Sequence, residues 1–310
     1  MPAKETVRKC PFFVPNLTLS LQNNNLRGIA AMLIAVVLFA LMDSVMKLLA
    51  AHYPPLQIAA LRGLSSLPLV CAWVIWRRAL PSLLRVRWPL HLLRGMLAIL
   101  MLSLFVFALR SLPLAEAYTI FFVSPLLITA MSALILKEKI TPARWYAIAG
   151  GMLGVLVVLR PGGDGLLSLA ALAVLASASC YAMLAITVRV LSPTDSGESM
   201  VFWLTLALAI GAGLFAAPGW VSFDTAHLPL LGTLAVTGFL GQVLVTEAFR
   251  HSEGSAVAPF EYTALAWAAG MDWLVWRVLP DHYTLAGATI IIASGVFLIR
   301  SEGKRIRKHI

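Results

Sequence analysis

The chain has 310 residues, of which 60% are hydrophobic and only 12% charged, with a formal net charge of +10. Soluble domains carry about 25% charged residues, so a soluble enzyme, a disordered chain and a disulfide scaffold are all excluded. The three cysteines (Cys10, Cys71 and Cys180) lie too far apart for a metal or redox motif. The basic excess falls in short clusters between long apolar runs, the pattern that orients a membrane protein, and it argues against a nucleic-acid partner.

Residues 1–27 read as a cytoplasmic tail. Pro11, Pro15 and Asn23-Asn24-Asn25 interrupt its only apolar stretch, which argues against a cleavable signal peptide. A helix crosses the hydrocarbon core in about 20 residues. Ten segments of that kind follow, at 28–50, 56–76, 90–109, 113–136, 143–159, 166–188, 200–217, 228–249, 255–278 and 284–299. The gaps carry breakers: Tyr53-Pro54-Pro55, Ser111-Leu112-Pro113, Arg160-Pro161-Gly162-Gly163, Pro193-Thr194-Asp195-Ser196-Gly197 and Pro280-Asp281. No segment alternates at period two, which argues against a transmembrane β-barrel. A basic tail, 301–310, closes the chain.

With the N-terminus inside, 18 of the 24 Lys and Arg residues fall on the cytoplasmic side, in clusters such as Arg77, Arg78, Arg85 and Arg87. Only Arg110, Arg160 and Arg277 fall opposite, and Lys47, Arg62 and Arg94 lie within spans. The positive-inside rule then places both termini in the cytoplasm of a multi-pass inner-membrane protein.

The two halves echo each other. Ala108-Leu109-Arg110-Ser111 matches Ala248-Phe249-Arg250-His251, and Gly154-Val155-Leu156-Val157-Val158-Leu159 matches Gly295-Val296-Phe297-Leu298-Ile299-Arg300. Both matches lay span n on span n + 5. An odd number of helices per repeat forces the second copy to enter from the opposite side, as in alternating-access transporters. The expected fold is thus an all-α integral membrane protein of ten transmembrane helices in two inverted five-helix repeats, 28–160 and 166–300.

The arrangement resembles the drug/metabolite transporter superfamily, and in particular its EamA-type members. The resemblance rests on Leu41-Met42-Asp43-Ser44-Val45-Met46-Lys47, Gln57 through Arg62-Gly63, Leu92-Leu93-Arg94-Gly95, Leu112-Pro113-Leu114-Ala115-Glu116-Ala117 with Ser124-Pro125-Leu126, and Leu136-Lys137-Glu138-Lys139. In the second half it rests on Ala258-Pro259-Phe260-Glu261-Tyr262 and on Pro280-Asp281 before Gly287 and Gly295. One departure stands out: Glu138 ends span four, whereas its repeat-two equivalent is Val278. The resemblance implies a secondary carrier of small organic molecules and leaves the substrate and the direction of transport open.

Ionisable residues inside spans cost at least about 2.5–3.5 kcal/mol and are therefore functional candidates. Asp43 and Lys47 share a helix face, and with Arg62 they form a cluster that reads either as an anion-handling site or as a structural ion pair. Glu116 lies one turn into span four, where it is either a gate or proton site or a partner of Arg110. Arg94 and Glu247 read as interfacial. In span nine Glu261 and Asp272 are 11 residues apart, about 16 Å along one helix face. Tyr262 and Trp273 repeat that spacing one position on. This face reads as a substrate path; the alternative is that Trp267, Trp273 and Trp276 are interface anchors, which suits Trp276 but not Glu261. Pro125 and Pro259 free backbone carbonyls and predict kinks. Gly150 with Gly154, and Gly287 with Gly295, read as close helix packing.

The expected function is secondary transport of a small metabolite by alternating access, with proton coupling through Glu116, Glu261 and Asp272 as an open variant. The alternative is a passive facilitator or channel. A membrane-embedded enzyme has no motif to support it: no His-Glu-x-x-His, Gly-x-Ser-x-Gly or glycine-rich phosphate loop occurs. The partners implied are a small-molecule substrate and the lipid bilayer. No cofactor, metal or nucleic acid is implied, and a homodimer is possible but not indicated.

Overall fold

The computed structural model describes residues 15–135, 142–159, 168–191, 193–251 and 261–306. Among the described residues the chain is helical and forms no strand. In chain order the helices are α1 Pro15–Ala50, α2 Pro55–Trp76, the short α3 Leu80–Leu84, α4 Trp88–Leu109, α5 Leu114–Phe121, α6 Ser124–Ile135 and α7 Pro142–Leu159. The second half has α8 Leu169–Leu191, α9 Gly197–Leu206, α10 Gly213–Ala216, α11 Leu228–His251, α12 Ala264–Met271 and α13 His282–Ile306. Two π-helical segments interrupt the second half, Ala207–Ala212 between α9 and α10, and Asp272–Trp276 after α12.

Local chemistry sets the boundaries. Pro54, Ala79 and Arg87 each precede a helix with proline at its first or second position, where the missing N–H costs nothing. Ser196 caps α9 by accepting the Ser199 N–H. The π-helical turn after α12 ends at Arg277, in the left-handed region at φ 58°.

Among the described residues six stretches are long and apolar enough to cross a membrane: Gly28–Ala50, Pro55–Trp76, Trp88–Leu109, Leu169–Val188, Gly197–Gly219 and Thr225–Ala248. Leu114–Ile128 and His282–Ser294 are shorter apolar helices. α4 buries Ala98, Ile99, Leu102 and Phe105, yet it exposes Leu92, Leu93, Met96 and Leu100. A helix apolar on both its packed and its exposed faces needs hydrocarbon rather than water as its solvent.

The helices pack in pairs that join the two halves of the chain. α1 lies along α11, α4 along α8, and α7 along α13, while α2 packs on the Ala207–Ala212 segment and α5 on α12. Numbered by the ten spans expected from the sequence, these contacts run 1–8 and 3–6, then 2–7, 4–9 and 5–10. One apolar cluster centres on Tyr118, Ile120, Leu126, Val174 and Tyr262, and a second on Met46, Leu49, Ile58, Leu102 and Leu208.

Glycines set the closest approaches. A Cβ on Gly63 would fall 2.2 Å from the Ala209 nitrogen, so only glycine lets α2 meet the π-helical backbone. A Cβ on Gly150 would lie 2.5 Å from Ser294 Oγ, and one on Gly154 2.9 Å from the Gly287 carbonyl oxygen, so both face α13. Gly295 lies in the same helix.

Candidate functional site

The site grows from the C-terminal end of α1. Lys47 sits in the last turn, where the helix dipole favours a cation. Its Nζ lies 3.0 Å from Asp272 Oδ1, with the two side chains 13% and 1% exposed. The other carboxylate oxygen of Asp272 accepts the Ala115 N–H at 2.8 Å. That N–H belongs to the first turn of α5, whose start is fixed by the extended Pro113, so the carboxylate also meets the positive end of a helix. The Trp276 ring lies beneath the Lys47 ammonium, 4.3 Å from its centroid. Three elements from both halves of the chain, α1, α5 and the Asp272–Trp276 segment, therefore converge on one ion pair.

One turn back on α1, the buried Asp43 accepts a hydrogen bond from the Tyr118 hydroxyl of α5. The Arg62 guanidinium of α2 acts on Asp43 through space. Tyr118 leads into an aromatic chain: Phe105 lies 6.1 Å away by ring centroids, and Phe122 meets Tyr262 edge-on at 5.2 Å. Glu261, half-buried, is within electrostatic reach of the Tyr181 and Tyr262 hydroxyls. Among the described residues no group of three or more His, Cys, Asp or Glu converges as a metal ion requires.

Each end of the bundle carries a clasp between the two halves. At the Tyr53 end, the Tyr53 ring stacks on Phe223 at 5.4 Å, and its hydroxyl bonds to His227 Nδ1 at 2.8 Å and accepts the Asp224 N–H. The Gln57 amide bonds both backbone groups of Val221, at 2.7 and 2.9 Å. Within the first half, Arg110 donates to the carbonyls of Ala50, the last residue of α1, and of Tyr53 just beyond it. At the His91 end, His91 Nε2 lies 2.8 Å from Asp195 Oδ2, Ser82 bonds Ser196, and Trp203 Nε1 donates to the Leu83 carbonyl. Burial raises the pKa of the Asp195 carboxyl, but hydrogen bonds from the Thr194 hydroxyl, His91 and the Arg87 N–H more than offset this and hold it below the usual carboxylate range.

Several placements differ from the sequence reading. Lys47 pairs with Asp272, 225 residues away, rather than with Asp43. The turn at Tyr262–Thr263 and the π-helical turn from Asp272 break the uninterrupted helix over which Glu261 and Asp272 were spaced. Trp273 is 50% exposed, with Arg277 against its ring, so it does not line an inner path. The inner aromatic is Trp276, which shares a helix face with Asp272 four positions earlier. Arg94 does not reach the interface: it is 5% exposed, within reach of Asp195, and its Nε and Nη1 have no partner among the described residues. Glu116 lies half-buried in the first turn of α5. The chain breaks between α5 and α6, immediately before Pro125. Pro259 and Glu138 lie outside the described residues.

Sequence reasoning passed over Tyr118 and the His91–Asp195 pair, took Trp276 for an interface anchor, and gave Gln57 no role beyond the family resemblance. A buried tyrosine in an apolar run needs a hydroxyl partner, and that was the one signal available for Tyr118.

An all-helical bundle with buried ion pairs between its two halves, set in an apolar exterior, defines a multi-pass membrane protein of the transporter class. The profile of the EamA-like transporter family matches residues 26–160 and again 168–301, so the chain belongs to that family. The pseudopaline exporter CntI of Pseudomonas aeruginosa strain UCBPP-PA14 is 29% identical over 276 residues, 89% of this chain and 96% of that one. The riboflavin transporter of Vibrio cholerae is 29% identical over 94% of this chain and 99% of its own length. The S-adenosylmethionine uptake transporter of Rickettsia conorii is 28% identical over 92% and 96%. A solved crystal structure shares the fold, with a TM-score of 0.63 at 20% identity over 89% of this chain and 96% of that one.

Proposed function

We propose that the chain is a secondary transporter that carries a small organic metabolite by alternating access between two inverted five-helix repeats, residues 28–160 and 166–300. The observation that carries this reading is the Lys47–Asp272–Ala115 junction, a buried ion pair that holds the two halves together between the end clasps. An ion pair of this kind contributes little net stability but has well-defined made and broken arrangements, which suits an element that opens and closes. The reciprocal helix pairing, 1–8 with 6–3, supports a pseudo-twofold relation between the repeats. Three relatives whose names describe small-molecule transporters support the substrate class.

In this reading ten helices span the inner membrane, the tails 1–27 and 301–310 are cytoplasmic, and the His91 end faces the cytoplasm. Glu116, Glu261 and Asp272 are the proton-coupling candidates, and Asp43, Lys47, Arg62 and Tyr262 line the path. Counterflow in proteoliposomes tests the reading, with a metabolite panel that includes riboflavin and S-adenosylmethionine. Saturable exchange of at least one member is expected, and absence of any exchange would remove transport as the function. Proton coupling is tested in the same vesicles with Glu261→Gln and Asp272→Asn: loss of pH-dependent flux is expected, and unchanged pH dependence in both removes these two carboxylates from that role.

A further inference from the structure

Between α2, the Ala207–Ala212 segment and α11 lies a narrow cleft lined by Arg62, Ser66, Thr205, Gly238, Phe239 and Gln242, among others. Arg62 is 9% exposed. Its guanidinium makes no hydrogen bond to any described residue, and the Asp43 carboxylate that acts on it through space is itself held by the Tyr118 hydroxyl. A guanidinium carries five N–H donors in a planar fork that matches the two oxygens of a carboxylate or phosphate.

The rest of the lining sorts by chemistry. The hydroxyl hydrogens of Ser66 and Thr205 are committed to the carbonyls of Ala235 and Val201. Arg62 and the Gln242 amide are then the side-chain donors left to face the cleft, and none of the lining side chains is acidic. Val70, Leu204, Leu208 and Phe239 make the remaining wall apolar. Gly238 leaves the space beside the guanidinium open: a Cβ there would lie 3.7 Å from Arg62 Nε and 3.2 Å from Ser66 Oγ. The cleft holds about 10 Å³ of free volume, roughly one water, so a larger occupant enters only when the halves separate.

We infer that this cleft seats the anionic head, a carboxylate or phosphate monoester, of an organic molecule whose apolar or aromatic body lies against Phe239 and Leu208. The inference rests on the transporter reading and names the substrate class of its path. Thermal unfolding of the purified full chain in detergent tests it, with phenylacetate, phenyl phosphate and phenethylamine as probes at matched ionic strength. At least one of the two anions stabilises the protein saturably, and which one does so separates carboxylate from phosphate; phenethylamine does not stabilise it. Arg62→Gln weakens the apparent affinity about tenfold or more, as expected for loss of a charge-assisted hydrogen bond. Gly238→Ala, which keeps the charge but fills the space beside it, also weakens it and decides the matter if Arg62→Gln does not fold. Equal stabilisation by phenethylamine, no stabilisation by either anion, or unchanged affinity in the variants overturns the proposal. Counterflow separates this inference from the reading beneath it. Exchange of a neutral or cationic metabolite that survives Arg62→Gln keeps transport and removes the anion seat. Arg62-dependent anion binding with no exchange of any metabolite keeps the seat and removes transport.

Discussion

The two ends of the bundle do the same job with different physics. At the Tyr53 end the halves are joined without a carboxylate: a tyrosine stacked on Phe223, its hydroxyl on His227, and a glutamine on the Val221 backbone. At the His91 end they are joined by a carboxylate against an imidazole, with Arg77 3.5 Å from Glu198 at the margin. The first clasp depends on ring stacking and on hydrogen bonds to a hydroxyl and a side-chain amide, whereas the second is built on a carboxylate. Between them sits the Lys47–Asp272 pair, 13% and 1% exposed, where removing one charge leaves its partner stranded in a largely buried place.

Breaking that central junction should give the largest effect. Asp272→Asn leaves the Lys47 ammonium without its carboxylate and is expected to cost about 3–5 kcal/mol in thermal or denaturant unfolding. The double variant Lys47→Met/Asp272→Leu should recover much of this, because it strands no charge; a double variant as unstable as the single one would break the assignment.

The next effect sharpens the contrast between the ends. Asp195 has a lowered pKa in the folded chain, so the stability it contributes is present above its unfolded pKa of about 3.9 and is lost as pH falls through the lower folded value. Unfolding followed from pH 6 downward should show this loss in the wild type and a flatter profile in Asp195→Asn, with about 1–3 kcal/mol lost in the variant at neutral pH. Identical profiles would show that the carboxylate does not hold that end.

Tyr53→Phe retains the stacking on Phe223 but loses the bonds to His227 and to the Asp224 N–H. A cost of about 1–2 kcal/mol is expected in thermal or denaturant unfolding. Arg77→Ala should have the smallest effect, below about 1 kcal/mol, because Arg77 is half exposed. An Arg77 effect larger than that of Tyr53→Phe would reverse the ranking of the two clasps.

How far the site was legible follows from the solvent. In a soluble helix the apolar stripe marks the inward face, but a lipid-facing helix is apolar all round, so periodicity does not say which side is inside. Trp273 and Trp276 show the consequence: both lie in one apolar run, and only the packed structure puts Trp276 on Lys47 and leaves Trp273 half exposed. Arg94 shows it too, since its place near the start of an apolar helix reads as interfacial whereas its side chain is buried near Asp195.

By itself the sequence determined the class of protein, because 60% apolar residues with 12% charge have no stable arrangement outside a bilayer. It also determined which charges are exceptional, because every ionisable group inside an apolar run stands out against the cost of putting it there. The partners of those charges were decided only by tertiary structure. Asp43 and Lys47 are four residues apart and were each other's nearest choice, yet Tyr118 takes one and Asp272 the other. The choice depends on the rotation and depth of α5 and α12 against α1, which is set by long-range packing and by the π-helical turn at Asp272, and no local pattern encodes it.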